Sequence, residues 1–415
     1  MNSRQRFLEV MDFNTGLRPP KWEYAFWGET LNRWYVEGLP KKRFVQLPGP
    51  ATTPTSSLYA TAYGRQEELL RKGLLARGQA VFGGGVYWPT QSVPKDRDVE
   101  SHFGFDEGIT LLDVNQLFHP MFEPRVLEET EEALTYVDLD GITRVYRKQE
   151  STMPTAVSWV IKDRPSWEAL KRERLSPKAI AGRFPPGWQR SLEEHRKRSC
   201  PLALGGYPHG LFGTPSHLMG YENLFLSYYD QPELIHDILN TFTELWMGIW
   251  EEVLGQLEID MVHFFEDVSM GTGSMISPVI FRQFMMPCYR RLCSFLRSKR
   301  VEVILVDTDG DCTELVPLFL ESGITGLYPM ETSTGLDIRR IRKRFPRLQM
   351  LGGISKYAVA GGPGSIDESL AVAGELLGTG GYIPYVDHSV PPQVSWGDFR
   401  YYREKLNSLL DRGRK

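Results

Sequence analysis

Residues 303 to 312 read VILVDTDGDC, an apolar run that ends in three aspartates, Asp307, Asp309 and Asp311, followed by Cys312. Asp307 and Asp309 are two apart on an extended segment and project from the same side. Other apolar runs also stop at ionisable groups: Glu266 and Asp267 after MVHFF, Glu331 after GLYPM, and Asp387 and His388 after YIPYV. If those runs are neighbouring strands, their ends converge on one mouth. Asp307, Asp309 and His388 then supply two carboxylates and an imidazole, an O/N donor set that suits zinc, manganese, iron or magnesium. Glu331 fits a third carboxylate ligand or a general acid that protonates a leaving oxygen. Glu266 is a second acid candidate and, with Asp267, could hold the ligands in place. Blander roles compete: Asp309 and Asp311 also fit helix N-caps, Glu331 a buried ion pair, and His388 a hydrogen-bonded loop histidine.

Aromatic residues near the start, Trp22, Tyr24, Trp27 and Trp34, could wall a substrate pocket for an aromatic ring or a methylammonium group, although an aromatic stripe also fits a core. Lys356, in GGISK, could meet a substrate carboxylate or form a surface salt bridge. His209 and His217 flank GLFGTPS and are weaker candidates for the mouth. Cys312 could ligate a soft metal, but a buried structural thiol is the simpler role.

These groups need elements to position them. After residue 200, short apolar runs (CPLALGG, EIDMVHFF, VEVILV, GITGLYP, LQMLGG, GGYIPYV) alternate with helical stretches such as PELIHDILNTFTELWMGIWEEVLGQL. Strand then helix, repeated about six times with room for two earlier units, predicts an α/β chain folded as a (β/α)8 barrel, with a doubly wound open sheet as the alternative. In a barrel the chemistry sits on the loops where strands end. Residues 1–60 form an N-terminal cap segment: a short amphipathic helix, then a stretch broken by prolines and rich in tryptophan. Residues 127–150 read as a hairpin inserted around Asp140-Gly141, a dipeptide favoured in type I′ turns. GGGVYW, Gly83 to Trp88, lacks the flanks of a phosphate loop and fits a simple turn.

Composition excludes several classes. With 48 basic and 52 acidic residues, a net charge of −4 and 41% hydrophobic content, the 415-residue chain is globular and has no general attraction for nucleic acid or an anionic membrane. No stretch is long and apolar enough to span a bilayer, and the four cysteines form no C-x-x-C pair. A cytoplasmic protein with reduced thiols is expected, and a homodimer stays open.

The C-terminal half resembles a known family. FFEDVSMGTGSMISP, FRQFMMPCYRRL, VILVDTDGDCTELVPLFLESGITGLYPME, LGGISK and GGYIPYVDHSVPPQVSWGDFRYY look like the uroporphyrinogen decarboxylase-like superfamily, and GYENLFLSYYDQPELIHDIL extends the likeness back to about residue 200. The resemblance implies a (β/α)8 barrel and one of two chemistries: decarboxylation of a tetrapyrrole, or methyl transfer involving a corrinoid protein at a zinc site. The decarboxylases carry an N-terminal Arg-Gln-Ala-Gly-Arg motif; this chain has WEYAFWGETLNRW there. The methyltransferases hold zinc on His-x-Cys and a late Cys, which fall here on Asp307, Asp309 and His388. Every replacement can still bind a metal, though magnesium or manganese tolerates carboxylates better than zinc does. A harder ion prefers oxygen, so the resemblance points to a methyltransferase that demethylates an O-methyl donor, an aryl methyl ether first and a methylated amine second. No D-x-H-x-x-G motif occurs, so the corrinoid would arrive on a separate protein. A decarboxylase of a carboxylated substrate and a non-catalytic ligand-binding barrel remain the alternatives.

Overall fold

The computed structural model describes residues 1–40, 86–87, 97–123, 125–147, 154–176, 180–185 and 187–412. Residues 41–60 of the N-terminal segment, most of the Gly83 to Trp88 motif and the last three residues of the 127–150 segment lie outside the described residues.

Seven parallel strands form one sheet: β1 (Thr110–Leu111), β2 (Leu202–Gly205), β3 (Met261–Phe265), β4 (Val303–Asp307), β5 (Gly326–Met330), β6 (Gln349–Gly352) and β7 (Tyr382–Ile383). They pair in chain order. The last six coincide with the six apolar runs of the sequence. Every position of β4 and β5 is buried, as expected of strands covered on both faces. Helices follow the strands, among them Pro232–Leu254 after β2, Met286–Ser298 after β3, Val316–Ser322 after β4 and Pro363–Leu377 after β6. They pack on the outer face in the main core. On the inner face, Ile109, Ala203, Met261, Leu305, Tyr328, Leu351, Ile383 and Tyr385 meet in a single cluster. The sheet is therefore curled.

The N-terminal segment divides between the two ends of this sheet. The helix Ser3–Met11 places Phe7, Val10 and Met11 in the inner cluster. Its backbone meets residues that open strands or precede them: Arg4 N–H donates to the Ser199 carbonyl (2.8 Å), Gln349 donates to the Met11 carbonyl (3.0 Å), and Gly381 N–H donates to the Val10 carbonyl (3.0 Å). This helix closes the end where strands begin, opposite the strand ends that carry the acids. Residues 21–27 run alongside the sheet between β1 and β7. Asp106 N–H donates to the Lys21 carbonyl (3.1 Å), Val386 N–H to the Glu23 carboxylate (2.7 Å), and Val390 N–H to the Ala25 carbonyl (2.8 Å).

The insertion is larger than one hairpin. Arg125–Glu129, Ala133–Val137, Thr143–Arg147 and Thr155–Ser158 form a four-stranded antiparallel sheet. Its central turn has three residues, not two: Asp138 N–H donates to the Ile142 carbonyl (2.9 Å), and Gly141 takes a left-handed φ of 79°. That is a type I turn completed by a left-handed glycine. Asp138 fixes it by accepting the N–H groups of Asp140 and Ile142, each at 2.9 Å.

Candidate active site

The ends of β3, β4 and β7 open into one cavity of about 560 Å³, within the usual range for a small-molecule site. Asp267, Asp307, Asp309 and His388 line one part of it, Arg144, Tyr207 and His217 another, and Tyr24, Trp27, Trp159, Tyr221 and Phe265 contribute aromatic wall.

Asp307 is the last residue of β4 and is buried. Its carboxylate accepts no hydrogen bond among the described residues, and burial, then the charges of Asp309 and Asp267, hold its carboxyl well above the usual range. Asp267 has a left-handed φ of 46° and is pushed up to about 7 by burial and then by Asp309. Asp309 meets His388 at 3.3 Å. Burial pulls the His388 imidazole down, but the hydrogen bond and charge of Asp309 outweigh it and the net shift is upward. The ring of His388 also lies 5.4 Å from that of Tyr24. Gly310 sharpens the turn: at its φ of 74°, a Cβ would sit 2.5 Å from the Met270 backbone. Asp311 caps no helix. It accepts the Thr313 N–H at 2.9 Å in a local turn, and the next helix starts at Val316.

A clamp beneath the mouth fixes these loops. Glu331 accepts the Gly310 N–H (2.8 Å) and the Lys356 ammonium (2.7 Å). Asp387 accepts the N–H groups of Lys356 (2.9 Å) and Ser333 (2.6 Å). Lys356 is thus engaged in the clamp and does not line the cavity, and Glu331 acts on the Asp309 turn through Gly310. Glu266 is likewise turned away from the cavity. Fully buried, it accepts the N–H groups of Leu211 (2.7 Å), Phe212 (2.5 Å) and Gly213 (3.1 Å), together with the Tyr289 hydroxyl. It anchors the start of the helix Gly213–Met219, whose residues Gly213, Ser216 and His217 line the cavity.

Two of the four aromatic residues expected to wall the pocket reach the cavity. Tyr24 and Trp27 line it. Trp22 instead packs at 5.7 Å on Phe7 of the N-terminal helix and donates to the Glu107 carbonyl (3.0 Å), so it belongs to the interior below. Trp34 is buried against Phe399, with ring centroids 4.3 Å apart. His209 is fully buried and bonded to the Gly206 carbonyl (2.8 Å), and does not line the cavity. Cys312 is a buried free thiol.

The donor types fit a divalent cation, for Asp267, Asp307 and Asp309 offer oxygen beside the His388 imidazole, and Asp307 is an orphaned buried acid. The spacing is less favourable: among the described residues no three His, Cys, Asp or Glu side chains form a group able to hold a metal ion. The expected ligand set of Asp307, Asp309 and His388 is brought to one cavity but not into one coordination shell.

Arg144, Tyr207 and Asp113 had no place in the sequence reading, whereas His217, a weaker candidate for the mouth, does line the cavity. The insertion sends Arg144 into the cavity wall, where its Nε donates to Asp138 (2.6 Å). His217 joins Asp140 through Nε2 (2.8 Å) and the Tyr207 hydroxyl through Nδ1 (2.7 Å). Burial, then the neighbouring Arg144, lowers His217 to about 3. The two partners of His217 are 10 and 77 residues away in sequence, so no local spacing marks them. Asp113 was discoverable. It ends the run ITLL as Asp307 ends VILV, its Oδ1 is buried without a partner among the described residues, and burial alone raises it to about 7.

The model of the uroporphyrinogen decarboxylase (URO-D) family matches residues 190–407. The chain belongs to the uroporphyrinogen decarboxylase family. The matched span holds every described strand of the sheet after β1, and all four acid-end residues of the cavity. Among solved structures, a methyltransferase from Methanosarcina mazei is similar over 98% of this chain and 99% of its own, with a TM-score of 0.52 and 14% sequence identity, which places the two on one fold. The catalytic domain of a family GH18 chitinase from the fern Peteris ryukyuensis gives a TM-score of 0.30 at 14% identity, over 57% of this chain and 79% of its own. No curated protein sequence matches the chain. No described helix is long and apolar enough to cross a membrane.

Proposed function

We propose that this family member is a cytoplasmic methyltransferase, built as a single (β/α)8 domain with residues 23–27 in the place of the eighth strand. In this reading it moves a methyl group from a small methylated substrate, first an aryl methyl ether, to a corrinoid carried by a separate protein. The observation that carries the reading is the orphaned acid Asp307, set between Asp267 and Asp309 in an aromatic-walled cavity. The whole-chain likeness to a methyltransferase supports it over decarboxylation.

An ether methyl leaves slowly because the departing oxygen gains negative charge, so a useful site places positive polarity there. A divalent cation, zinc by family resemblance, would need Asp307, Asp309 and His388 to draw closer than they stand in order to hold it, and would then supply Lewis-acid polarisation. The chain's own residues do the rest. Tyr24, Trp27 and Phe265 pack the ring and exclude water. The Glu331 and Asp387 clamp holds the Asp309 turn and His388 in register. Desolvation and the charges of two neighbouring acids favour the neutral form of Asp307 when it has no cation to face, and a neutral carboxyl can donate to the departing oxygen.

The test is incubation of the purified protein with a reduced corrinoid protein and either methoxybenzene or tetramethylammonium, following methyl-cobalt by its absorbance. Methylation from the ether, lost on treatment with chelator, supports the reading. Methylation from the amine alone, unaffected by chelator, overturns the ether assignment. Carbon dioxide release from a polycarboxylated substrate without methyl transfer would point to a decarboxylase, and tight capture without turnover to a binding barrel.

A further inference from the structure

The cavity has two chemically different ends. At one, Asp267, Asp307 and Asp309 gather beside His388; at the other, the antiparallel insertion contributes a nearly buried arginine, Arg144, to the wall. Tyr221 lines the same cavity and feels the charges of groups at both ends, Asp267 and Asp309 at one and Tyr207 at the other. Arg144 is held firmly. Its Nε edge is taken by Asp138 at 2.6 Å, whose other oxygen is occupied by two backbone N–H groups. The terminal nitrogens rest against Tyr207, which accepts from the guanidinium, and against His217 Nδ1 at a long 3.4 Å. His217 is in turn fixed through Nε2 by Asp140. The turn that carries Asp138 and Asp140 thus orients both the guanidinium and its neighbours, and it does so in the cavity rather than on the surface.

We propose that Arg144 is the anchor for an anionic group on the substrate, and that the substrate class is an aromatic carboxylate bearing its methylated oxygen remote from the carboxylate. The aromatic part of the substrate-class assignment rests on the function proposed above; the anion subsite rests on the wall itself. A guanidinium with a pre-set edge matches a carboxylate in geometry and charge. The acid end repels the same carboxylate, so the two ends together fix the direction in which the molecule lies: carboxylate toward Arg144, methyl toward Asp307. The ring between them meets Tyr24, Trp27, Trp159 and Phe265.

Binding of benzoate and of benzamide, its neutral isostere, to the full-length protein by calorimetry tests this without any turnover. The wild type should prefer benzoate by about 10- to 100-fold, the range set by a charge-assisted hydrogen bond. R144M should abolish that preference and R144K should retain part of it. Because R144M strands a buried Asp138, the double variant D138N/R144M serves as the folded control and should likewise bind the two probes equally. Equal binding of the two probes by the wild type, binding of neither, or a benzoate preference that survives R144M would overturn the proposal. If the preference behaves as expected while no methyl moves from 4-methoxybenzoate to the corrinoid protein, the anion subsite stands and the methyl-transfer reading fails.

Discussion

Glu266 and Asp307 are buried carboxylates at the ends of neighbouring strands, and their backbones touch, with Glu266 N–H donating to the Asp307 carbonyl at 2.8 Å. Their surroundings differ completely. Glu266 accepts three backbone N–H groups and a tyrosine hydroxyl, whereas Asp307 accepts nothing among the described residues and faces two other acids. A satisfied buried acid is a strut, because its hydrogen bonds are the reason the loop holds its shape. An unsatisfied one at a cavity is destabilising as it stands, and such a cost persists where a ligand or a reaction uses it.

The two residues should therefore fail in opposite ways. Glu266→Ala leaves several buried donors without acceptors, and a loss of about 3–5 kcal/mol in urea denaturation is expected. Asp307→Asn removes a repelled carboxylate and should alter stability by less than about 1 kcal/mol, while lowering methyl transfer by at least about 100-fold. Similar stability losses in both variants would break the contrast and return Asp307 to a structural role.

The clamp lies between these extremes. Lys356→Met strands Glu331 as a buried acid, with an expected cost of about 2–3 kcal/mol, and the double variant Glu331→Gln/Lys356→Met should recover most of it because the uncompensated charge is gone. If Glu331 only positions the Asp309 turn, the double variant keeps the Gly310 N–H acceptor and loses rate by less than the Asp307 variant does. A rate loss in the double variant equal to that of Asp307→Asn would instead make Glu331 a participant in the chemistry.

The contrast also marks what the sequence could reveal. Six apolar runs located β2 to β7, since each strand is bounded by turn residues and is buried along its length except at Phe265, the last residue of β3. The acids that end those runs were visible for the same reason. Their partners were not, because whether Glu266 or Asp307 is satisfied depends on a loop 55 residues away in one case and on none in the other. The insertion was half legible: Ala133–Val137 and Thr143–Arg147 alternate between buried and partly exposed positions, but Arg125–Glu129 is exposed at all five, so no period marks it. Trp22 and Tyr24, two residues apart, share the inner face of the curled sheet. Only Tyr24 reaches the cavity, and the sequence could not give that depth, since it depends on the N-terminal helix plugging the far end.

The smallest effect concerns Asp113, an orphan like Asp307 but partly open to water, which weakens every electrostatic term around it. Burial raises its carboxyl from 3.8 to about 7 in the folded chain. Between those values the folded state binds a proton that the unfolded state has released, so the contribution is complete below about pH 4 and is lost as pH rises through 7. His217 works in the other sense: lowered to about 3, its contribution is complete above 6.5 and is lost as pH falls. Wild-type melting curves mix the two slopes, and the difference between Asp113→Asn and wild type isolates one of them. That difference should favour the variant more at pH 8 than at pH 5 when the melting temperature is read at both. A difference that does not change with pH would mean that Asp113 holds its charge when folded, and that water or a cation already satisfies it.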